Sequence, residues 1–398
     1  MLMENVRTGN LASRELADAV KRLQKMTDGR YDVRFYKDNG QTLMQVIKKI
    51  MRLSKQEKEW YVYFLSLYES IHVCHRSGQK ITAIKYAEIF YRDSALYMDR
   101  VLPNYPDTDM KYLNIYMYST IFDNYFQFYQ IDDNKMNKFM EMYEAAALKY
   151  GRAYMYYNCE MEMGILYHDL EIAEHGRYNF EKYEHEMNNC YVCNHRRYLG
   201  YYLLRGDIDR AEKLMQDFRQ RRIPKKYQWC YDNCELAQED YAMYYEVLGY
   251  TLRVGSPEAF RLFYGKYWLT LPKEKRREST LFVFFCAIAG DFDELEEQDL
   301  RMAEKDVREC GRMTTLGTMM DSLNWMCYFR LLDRSGIKEV MIDLPGLLGN
   351  DNGKTDSLAI STYFEQRADE EGMKFGLARA KFDYAMLKNT CLECAGLL

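Results

Sequence analysis

Proline is scarce in this 398-residue chain, which has 6 prolines where average usage of about 5% would give roughly 20. Proline interrupts helices, so a chain with few prolines has few enforced breaks. Leu, Met, Glu, Lys and Arg occur in every part of the sequence, and these residues favour helix. The length allows two or three globular domains, or one long array of helices.

Long hydrophobic runs are also absent. The strongest one, LFVFFCAIAG (281–290), is too short to span a bilayer. The start, MLMENVRTGN, places polar and acidic residues where a secretion signal has an apolar core. The 11 cysteines, an odd number scattered over the chain, are therefore predicted to be reduced, buried thiols. These features predict a soluble, cytoplasmic protein that does not contact a membrane.

The sequence lacks a basic stripe and the common catalytic motifs. The net charge is −5 with both signs mixed throughout, which disfavours direct nucleic-acid binding. No helix-turn-helix unit is evident, and residues 1–53 are the segment left in which one could be hidden. There is no GxSxG elbow and no HExxH helix. No residue is nominated as catalytic, no cofactor is predicted, and the protein is not predicted to be an enzyme.

What the chain does contain is a series of antiparallel helical hairpins, seen most clearly in RRYLGYYLLRGDIDRAEKLMQDFRQRRIP (196–224). Apolar residues at helical spacing precede and follow Gly206. Gly206 can adopt the left-handed conformation that ends the first helix, and Asp207 can cap the second. Ala211 is small, which suits the point where two antiparallel helices cross. This pattern predicts an αα-hairpin.

Similar turns recur along the chain at uneven intervals, so the helices are predicted to vary in length. The turn landmarks are Gly78, Asp132, Gly176, Gly206, Gly255, Gly290 and Gly336. In the turn at Gly255, Ser256 is the predicted N-cap and Pro257 the first helical residue. Helix pairs of this size are typical of an α-solenoid, in which each pair stacks on its neighbours.

The hairpins divide the chain into three predicted parts. Residues 1–53 form an N-terminal segment with a short helix, Ser13 to Lys25, followed by the polar, turn-rich TDGRYDVRFYKDNG. Residues 54–335 are the helical repeats, and SKQE (54–57) is the predicted capping box that opens their first helix. Residues 336–398 are a loop and C-terminal capping helices.

Two stretches resemble tetratricopeptide (TPR) repeats, namely YLGYYLLRGDIDRA and VLGYTLRVGSPEA. They share Leu-Gly in the first helix (Gly200 and Gly249), a glycine at the turn, and an alanine in the second helix (Ala211 and Ala259). The usual tryptophan and the 34-residue period are missing, so these repeats are divergent. The resemblance implies an all-α fold: an α-solenoid, a right-handed superhelix of TPR-like antiparallel hairpins. It also implies a concave groove that binds a peptide or a partner protein.

The stretch GNDNGKT, Gly349 to Thr355, has some features of a phosphate-binding loop. A Walker A loop places four residues between its glycines, whereas Gly349 and Gly353 enclose three. The preceding EVMIDL could form a strand, but the residues after Thr355 favour helix rather than further βα units. The favoured interpretation is a solvated turn. The alternative is a nucleotide-dependent switch or enzyme that uses this loop, which thermal shift with nucleotide would detect.

A cysteine-rich region offers ligand types that zinc prefers: Cys190-x-x-Cys193 and His195, with Cys230 and Cys234 downstream. If Gly200 and Gly249 are equivalent, Cys193 and Cys234 lie at positions eight residues apart in their helices, or about 12 Å. Sulfurs that far apart cannot share one ion. The prediction is therefore packing cysteines and no metal.

The TPR resemblance also implies which residues line the groove, because the first helix of each TPR hairpin faces the concave side. Counting from Gly200, Gly249 and Gly164 gives polar and aromatic side chains suited to a peptide backbone and its charged groups. The predicted groove residues are Asn158, Asn194, Arg197, Tyr201, Glu246, Tyr250 and Arg253. The function predicted is peptide or protein binding in a regulatory, signalling or scaffolding role, and a homo-oligomer is a further option.

Overall fold

The structure is a computed structural model, and it describes residues 3, 6–28, 33–77, 79–101, 110–276, 280–292, 297–310, 315–344, 346–347 and 353–398. Helices make up well over half of these residues, which confirms the predicted all-α class. The sheet in this part of the chain has two short strands. The chain forms two compact units, Met1–Tyr125 with Ala145–Arg152, and Phe126–Glu144 with Ala153–Leu398.

The elements follow one another as a nearly unbroken series of helices. In chain order they are α1 (Arg14–Thr27), α2 (Val33–Gln56), α3 (Trp60–Arg76), α4 (Lys80–Val101), α5 (Met110–Phe126), α6 (Asp133–Tyr150), α7 (Ala153–Leu166), α8 (Leu170–Tyr183), α9 (Tyr191–His195), α10 (Arg197–Leu204), α11 (Ile208–Arg219), α12 (Cys230–Asn233), α13 (Glu235–Gln238), α14 (Asp240–Arg253), α15 (Pro257–Lys266), α16 (Thr280–Ile288), α17 (Glu297–Cys310), α18 (Leu316–Arg334), β1 (Glu339–Val340), β2 (Thr355–Asp356), α19 (Ser357–Ala378) and α20 (Tyr384–Cys394). Short 3-10 helices occupy Thr8–Asn10, Glu184–Glu186, Lys225–Tyr227, Trp268–Thr270 and Lys273–Arg276.

In the first unit, α1 agrees with the predicted short helix, and Ser13 caps it by accepting a hydrogen bond from the Leu16 N–H at 3.1 Å. The predicted capping box at residues 54–57 is wrong. Ser54 lies inside α2, where its buried hydroxyl donates to the Ile50 carbonyl at 2.8 Å. A serine within a helix satisfies its hydroxyl in this way, so its presence alone does not mark a start.

Residues 27–40 were predicted to be rich in turns, but helix α2 already begins within them. The structure places Val33 at its start, and residues 29–32 lie outside the described ranges. Buried Tyr36, Leu43 and Ile47 recur at helical spacing and give α2 one apolar face. That face outweighs the local turn preference of the polar residues between them.

In the second unit the best-defined predicted hairpins are present. Gly206 has φ +73° between α10 and α11, and Gly255 has φ +68° between α14 and α15. The Asp207 side chain caps α11 by accepting from the Arg210 N–H at 3.3 Å. Pro257 is the first residue of α15, whereas Ser256 stands at the N-cap without a side-chain hydrogen bond to the helix.

The other turn landmarks have mixed outcomes. Gly290 and Gly336 have positive φ just after α16 and α18, as turns should. Gly78 lies outside the described residues. Gly176 is not at a turn but inside α8, where a Cβ would lie 2.4 Å from the Met161 nitrogen of α7. Its role is to let two helices approach closely, which a sequence motif cannot distinguish from a turn.

Successive hairpins of the second unit pack through their first helices. Helix α7 pairs with α8, α10 with α11, and α14 with α15, and α10 contacts both α7 and α14. Later in the chain α18 packs along α19, and α20 contacts α14, α15, α18 and α19. The three helices α7, α10 and α14 therefore lie side by side, and α20 covers part of the same array.

The C-terminal segment joins β1 to β2 in an antiparallel pair, with Val340 opposite Thr355. The side chain of Arg379, just after α19, is fully buried and donates to the carbonyls of Phe126, Phe128 and Ile131. The predicted boundary at residue 53 falls inside α2, and that at residue 336 follows the end of α18. Among the described residues, no helix combines the length and the apolar character needed to cross a membrane.

Candidate functional site

Three of the predicted groove residues contact one carboxylate of the protein itself, that of Glu162 on α7. The Arg197 Nε atom lies 3.3 Å from it and the Arg253 Nη1 atom 3.6 Å. The Tyr250 hydroxyl donates to it at 2.9 Å. We call Glu162, Arg197, Tyr250 and Arg253 the Glu162 network. It links the first helices of three successive hairpins.

Most of the Glu162 network is closed to solvent. The side chains of Glu162 and Arg197 are each 12% exposed and Tyr250 is buried, whereas the Arg253 side chain is 47% exposed. Gly200 makes the packing feasible, because a Cβ there would lie 2.5 Å from the Tyr250 ring. Burial by itself would raise the pKa of Glu162, but the charges of Arg197 and Arg253 hold it below the ordinary value. The carboxylate is therefore stable in its charged form.

The other predicted groove residues on α7, α9 and α10 are also buried. Asn158 and Asn194 are hydrogen-bonded to each other at 3.0 Å. Asn194 further donates to the Cys190 carbonyl at 2.6 Å, which fixes the start of α9. The Tyr201 hydroxyl donates to Glu174. In this conformation these side chains contact protein groups, and their role in contacting a ligand stays a prediction.

Glu246 differs from these residues because it lines an open cleft in the second unit. Its carboxylate lies 3.4 Å from the Arg196 Nε atom. Arg253, already part of the Glu162 network, also reaches the cleft. The cleft has a volume of about 450 Å³, and its walls come mainly from α14, α16, α17, α18 and α20. Its apolar walls include Leu252, Leu281, Met320, Phe382 and Met386.

Acidic groups outnumber basic ones around the cleft. The carboxylates are those of Glu246, Asp306, Asp321 and Asp383, against the cations Arg253 and Lys305. Asp306 accepts from the Trp325 indole N–H at 2.9 Å, and Asp383 caps α20 by accepting from the Met386 N–H at 2.8 Å. These bonds fix the carboxylates of Asp306 and Asp383 in place. The cleft is therefore rich in hydrogen-bond acceptors.

Asn324 adds an acceptor that is unsatisfied. It lines the cleft from α18 and is 3% exposed, and its side-chain oxygen has no hydrogen-bond partner within the described part of the chain. Buried polar atoms in native structures are nearly always paired. An unpaired one costs about 1–3 kcal/mol. A donor supplied by a bound molecule would remove this cost.

The predicted turn at GNDNGKT lies partly outside the described residues, which resume at Gly353. Gly353 has φ +73°, and Thr355 follows in β2. The Thr355 hydroxyl is buried and donates to the Ile342 carbonyl at 3.3 Å. A phosphate-binding loop needs this hydroxyl for Mg²⁺, and here it bonds to the backbone just after β1.

The cysteines are closer together than their predicted register allowed. The sulfurs of Cys190, Cys193 and Cys234 all lie within 4.8 Å of one another, and those of Cys193 and Cys234 are 3.2 Å apart. The predicted 12 Å separation is wrong because it assumed unbroken helices. In the structure α9 ends before α10 begins, and Cys234 lies between the one-turn helices α12 and α13.

The three thiols also influence one another electrostatically. Hydrogen bonds with the thiols of Cys190 and then Cys193 lower the pKa of Cys234 well below its ordinary value. The pKa of Cys190 is raised by its hydrogen bonds to Cys193 and Cys234. His195 and Cys230, the other two residues of the sequence pattern, do not join them. His195 Nδ1 contacts the Tyr191 carbonyl and Cys230 accepts from the Tyr191 N–H.

Comparison of this chain with protein-family models, with curated proteins and with solved structures finds no match.

Sequence reasoning missed Glu162 and Asn324. Glu162 is one of two glutamates in CEMEMGIL of α7, and Asn324 is the one amide in LNWMCYF of α18. A polar residue in a largely apolar helical stretch is a signal that it faces a partner inside the protein or a bound molecule. The sequence does not show whether such a residue faces a protein partner or a bound molecule, because that depends on helices distant in the chain.

Proposed function

We propose that this protein binds a peptide segment, free or part of a partner protein, in the cleft of its second unit. The role would be regulatory, signalling or scaffolding, as for TPR-like helical repeats. We further propose that the hairpins form a TPR-like α-solenoid. The side-by-side arrangement of α7, α10 and α14 supports this, because successive first helices are neighbours in such a fold.

The size and the walls of the cleft support a ligand of a few residues. Its volume of about 450 Å³ falls in the range of ligand sites, roughly 300–1,000 Å³. Apolar side chains such as Met320 and Phe382 form part of the wall, and polar groups stand between them. Apolar contact area with a few fixed polar groups is what an extended peptide needs for affinity and for orientation.

The unpaired oxygen of Asn324 is the observation that carries the proposal. A peptide N–H group, or the cationic head of a lysine or arginine side chain, would donate to it. The gain is large because the oxygen is already desolvated, so binding removes an existing cost. A ligand made only of acceptors, such as a phosphate group, would leave the oxygen unpaired.

The acidic balance of the cleft specifies the peptide further. Asp306 and Asp321 on neighbouring helices, with Asp383, favour a positively charged ligand, and Glu246 contributes less because it pairs with Arg196. We therefore propose a peptide with at least one basic side chain flanked by apolar residues. The same charge balance disfavours a nucleotide in this cleft.

A selection experiment tests the proposal. A library of random peptides is panned against the immobilised protein and, in parallel, against a variant with a filled cleft. Gly249→Trp is suitable for filling, because Gly249 lines the cleft on α14 and a Cβ there meets no atom within 4 Å. Enrichment of basic, partly apolar peptides on the parent protein alone is expected.

The matched control is Gly265→Trp on α15. Gly265 is also a helical glycine with no atom within 4 Å of a Cβ, but it does not line the cleft. This variant should enrich the same peptides as the parent protein. Equal enrichment on the filled-cleft variant, or none on any of the three proteins, would overturn the proposal.

A further inference from the structure

We propose that Cys190, Cys193 and Cys234 form a binding site for one zinc ion. Their sulfurs lie within 4.8 Å of one another, although Cys234 is 41 residues from Cys193 in sequence. A tetrahedral zinc ion with Zn–S bonds of about 2.3 Å separates its sulfurs by about 3.8 Å. Shifts of an ångström or less in side-chain position would bring the three sulfurs to that spacing.

Backbone hydrogen bonds hold both segments of the cluster. Cys190 is the N-cap of α9, and its sulfur accepts from the Cys193 N–H at 3.5 Å. Cys234 is the N-cap of α13, where its carbonyl accepts from the Ala237 N–H at 3.0 Å. Hydrogen bonds around a site orient metal ligands before the ion binds. The cluster is therefore preorganised from two separate segments.

These cysteines also differ from the others in accessibility. Of the ten cysteines whose side chains the structure describes, seven are buried and three are partly exposed. The three partly exposed ones are Cys190, Cys193 and Cys234. Buried thiols are packing groups that an ion cannot reach, whereas this cluster is open to ions from solution.

The donor set selects the kind of metal. Thiolate sulfur favours zinc and other thiophilic ions and disfavours Mg²⁺ and Ca²⁺, which prefer oxygen. His195 is not a ligand, because its Nε2 atom faces Glu184 at 3.3 Å and its ring stacks on Tyr191. Three protein ligands leave the fourth position of the ion for water or for a small ligand, as in open zinc sites.

The ion would join α9 to the α12–α13 segment. The unfolded chain has no preformed site for the ion. Because zinc therefore binds only the folded protein, it adds to the stability of the native state. The two segments precede α10 and α14, the helices that carry Arg197 and Tyr250. Zinc is thus predicted to stabilise the part of the second unit that contains the Glu162 network.

The test uses cobalt as a spectroscopic probe. The full chain is reduced, stripped of metal with a chelator, and titrated with Co²⁺ without air. We expect sulfur-to-cobalt charge-transfer absorption in the near ultraviolet that saturates at one ion per chain. This absorption should disappear when Zn²⁺ is added. Cys234→Ser should abolish the charge-transfer band or weaken the affinity at least tenfold.

The control is Cys230→Ser, which removes a neighbouring thiol outside the cluster and keeps an acceptor for the Tyr191 N–H. It should bind cobalt as the parent protein does. Zn²⁺ should raise the melting temperature of the parent and of this control, but not of Cys234→Ser. The proposal is wrong if the reduced parent protein shows no charge-transfer band, or if Cys234→Ser binds cobalt like the parent.

A disulfide bond between Cys193 and Cys234 is the alternative to zinc binding. The Cys193–Cys234 sulfur distance of 3.2 Å exceeds the roughly 2.05 Å of a disulfide bond. Mass spectrometry of the protein purified under reducing conditions should therefore show the mass of free thiols. A disulfide that persists under those conditions and prevents cobalt binding would also overturn the proposal.

Discussion

The polar side chains of α14 differ in how they are satisfied. Tyr250 donates to Glu162, whose largely buried carboxylate is paired with Arg197 and Arg253. Glu246 and Gly249 instead line a cleft whose buried Asn324 oxygen lacks a partner in the described residues. Arg253, at the end of the helix, touches both. Similar polar residues on one helix can therefore serve either stability or binding.

This difference assigns opposite consequences to substitutions. Removing a member of the Glu162 network leaves a charge unpaired in a dry environment, so the native state should lose stability. Removing a polar group of the cleft should leave the fold intact and change what the protein binds.

The largest effect is expected from Glu162→Gln. The variant leaves Arg197 and Arg253 without their carboxylate, and breaking a largely buried pair of this kind costs about 3 kcal/mol in unfolding free energy. Denaturant titration measures it. As a control, Glu141→Gln on the exposed face of α6 should change stability by less than about 0.5 kcal/mol. Equal stability of the two variants would show that the network contributes nothing.

Lowering the pH should remove the contribution of the Glu162 carboxylate to the free energy of unfolding. The pKa of Glu162 in the folded state lies below its ordinary value of 4.5, because the arginines outweigh the effect of burial. Its stabilisation is therefore complete above pH 4.5 and is lost as the pH falls further through the folded-state pKa. The difference in unfolding free energy between the parent and Glu162→Gln should shrink in that acidic range. A difference that is constant down to strongly acidic pH would contradict the depressed pKa.

Ala211→Leu tests the hairpin rather than the network. Ala211 is buried on α11, which packs against α10, so added methyl groups should overpack the crossing. The expected loss is about 1–3 kcal/mol in unfolding free energy. Ala145→Leu, at an exposed position of α6, is the size-matched control and should be nearly neutral. If both variants are as stable as the parent, the predicted crossing point is wrong.

Asn324→Leu should have effects of opposite sign on stability and binding. Replacing Asn324 removes a buried oxygen that has no partner among the described residues, so the free energy of unfolding should rise slightly, by about 1 kcal/mol. Affinity for a peptide selected on the parent protein should fall about tenfold. Asn324→Asp, which keeps an acceptor oxygen, should retain affinity for a basic peptide. Undiminished affinity in the leucine variant would place the ligand elsewhere.

The sequence predicted the fold better than it predicted the site. Helical spacing and the glycines at residues 206 and 255 led to hairpins that the structure contains, because these signals are local. Ser54, Gly176 and Cys234 misled because each has a local meaning that tertiary packing overrides. Ser54 bonds within its own helix, Gly176 lies at a helix crossing, and Cys234 interrupts a helix that the repeat pattern required to be continuous.

The predicted groove residues illustrate the same limit. Counting from Gly200 and Gly249 selected polar side chains on α10 and α14, which contact each other. Counting could not show that Glu162, on a third helix, would pair with Arg197 and Arg253. Nor could it find the cleft, whose walls come from α16, α17, α18 and α20 as well as α14, because those contacts join residues far apart in the chain.

The most direct test of the central claim, that the cleft is the ligand site, is titration calorimetry with the best peptide selected on the parent protein. The parent, Gly249→Trp and a second control, Gly376→Trp on α19, are titrated in parallel; Gly376 also offers open space for a side chain away from the cleft. We predict equal binding by the parent and Gly376→Trp, and at least a tenfold loss for Gly249→Trp with an unchanged melting temperature. Equal binding by all three proteins would contradict the assignment of the cleft.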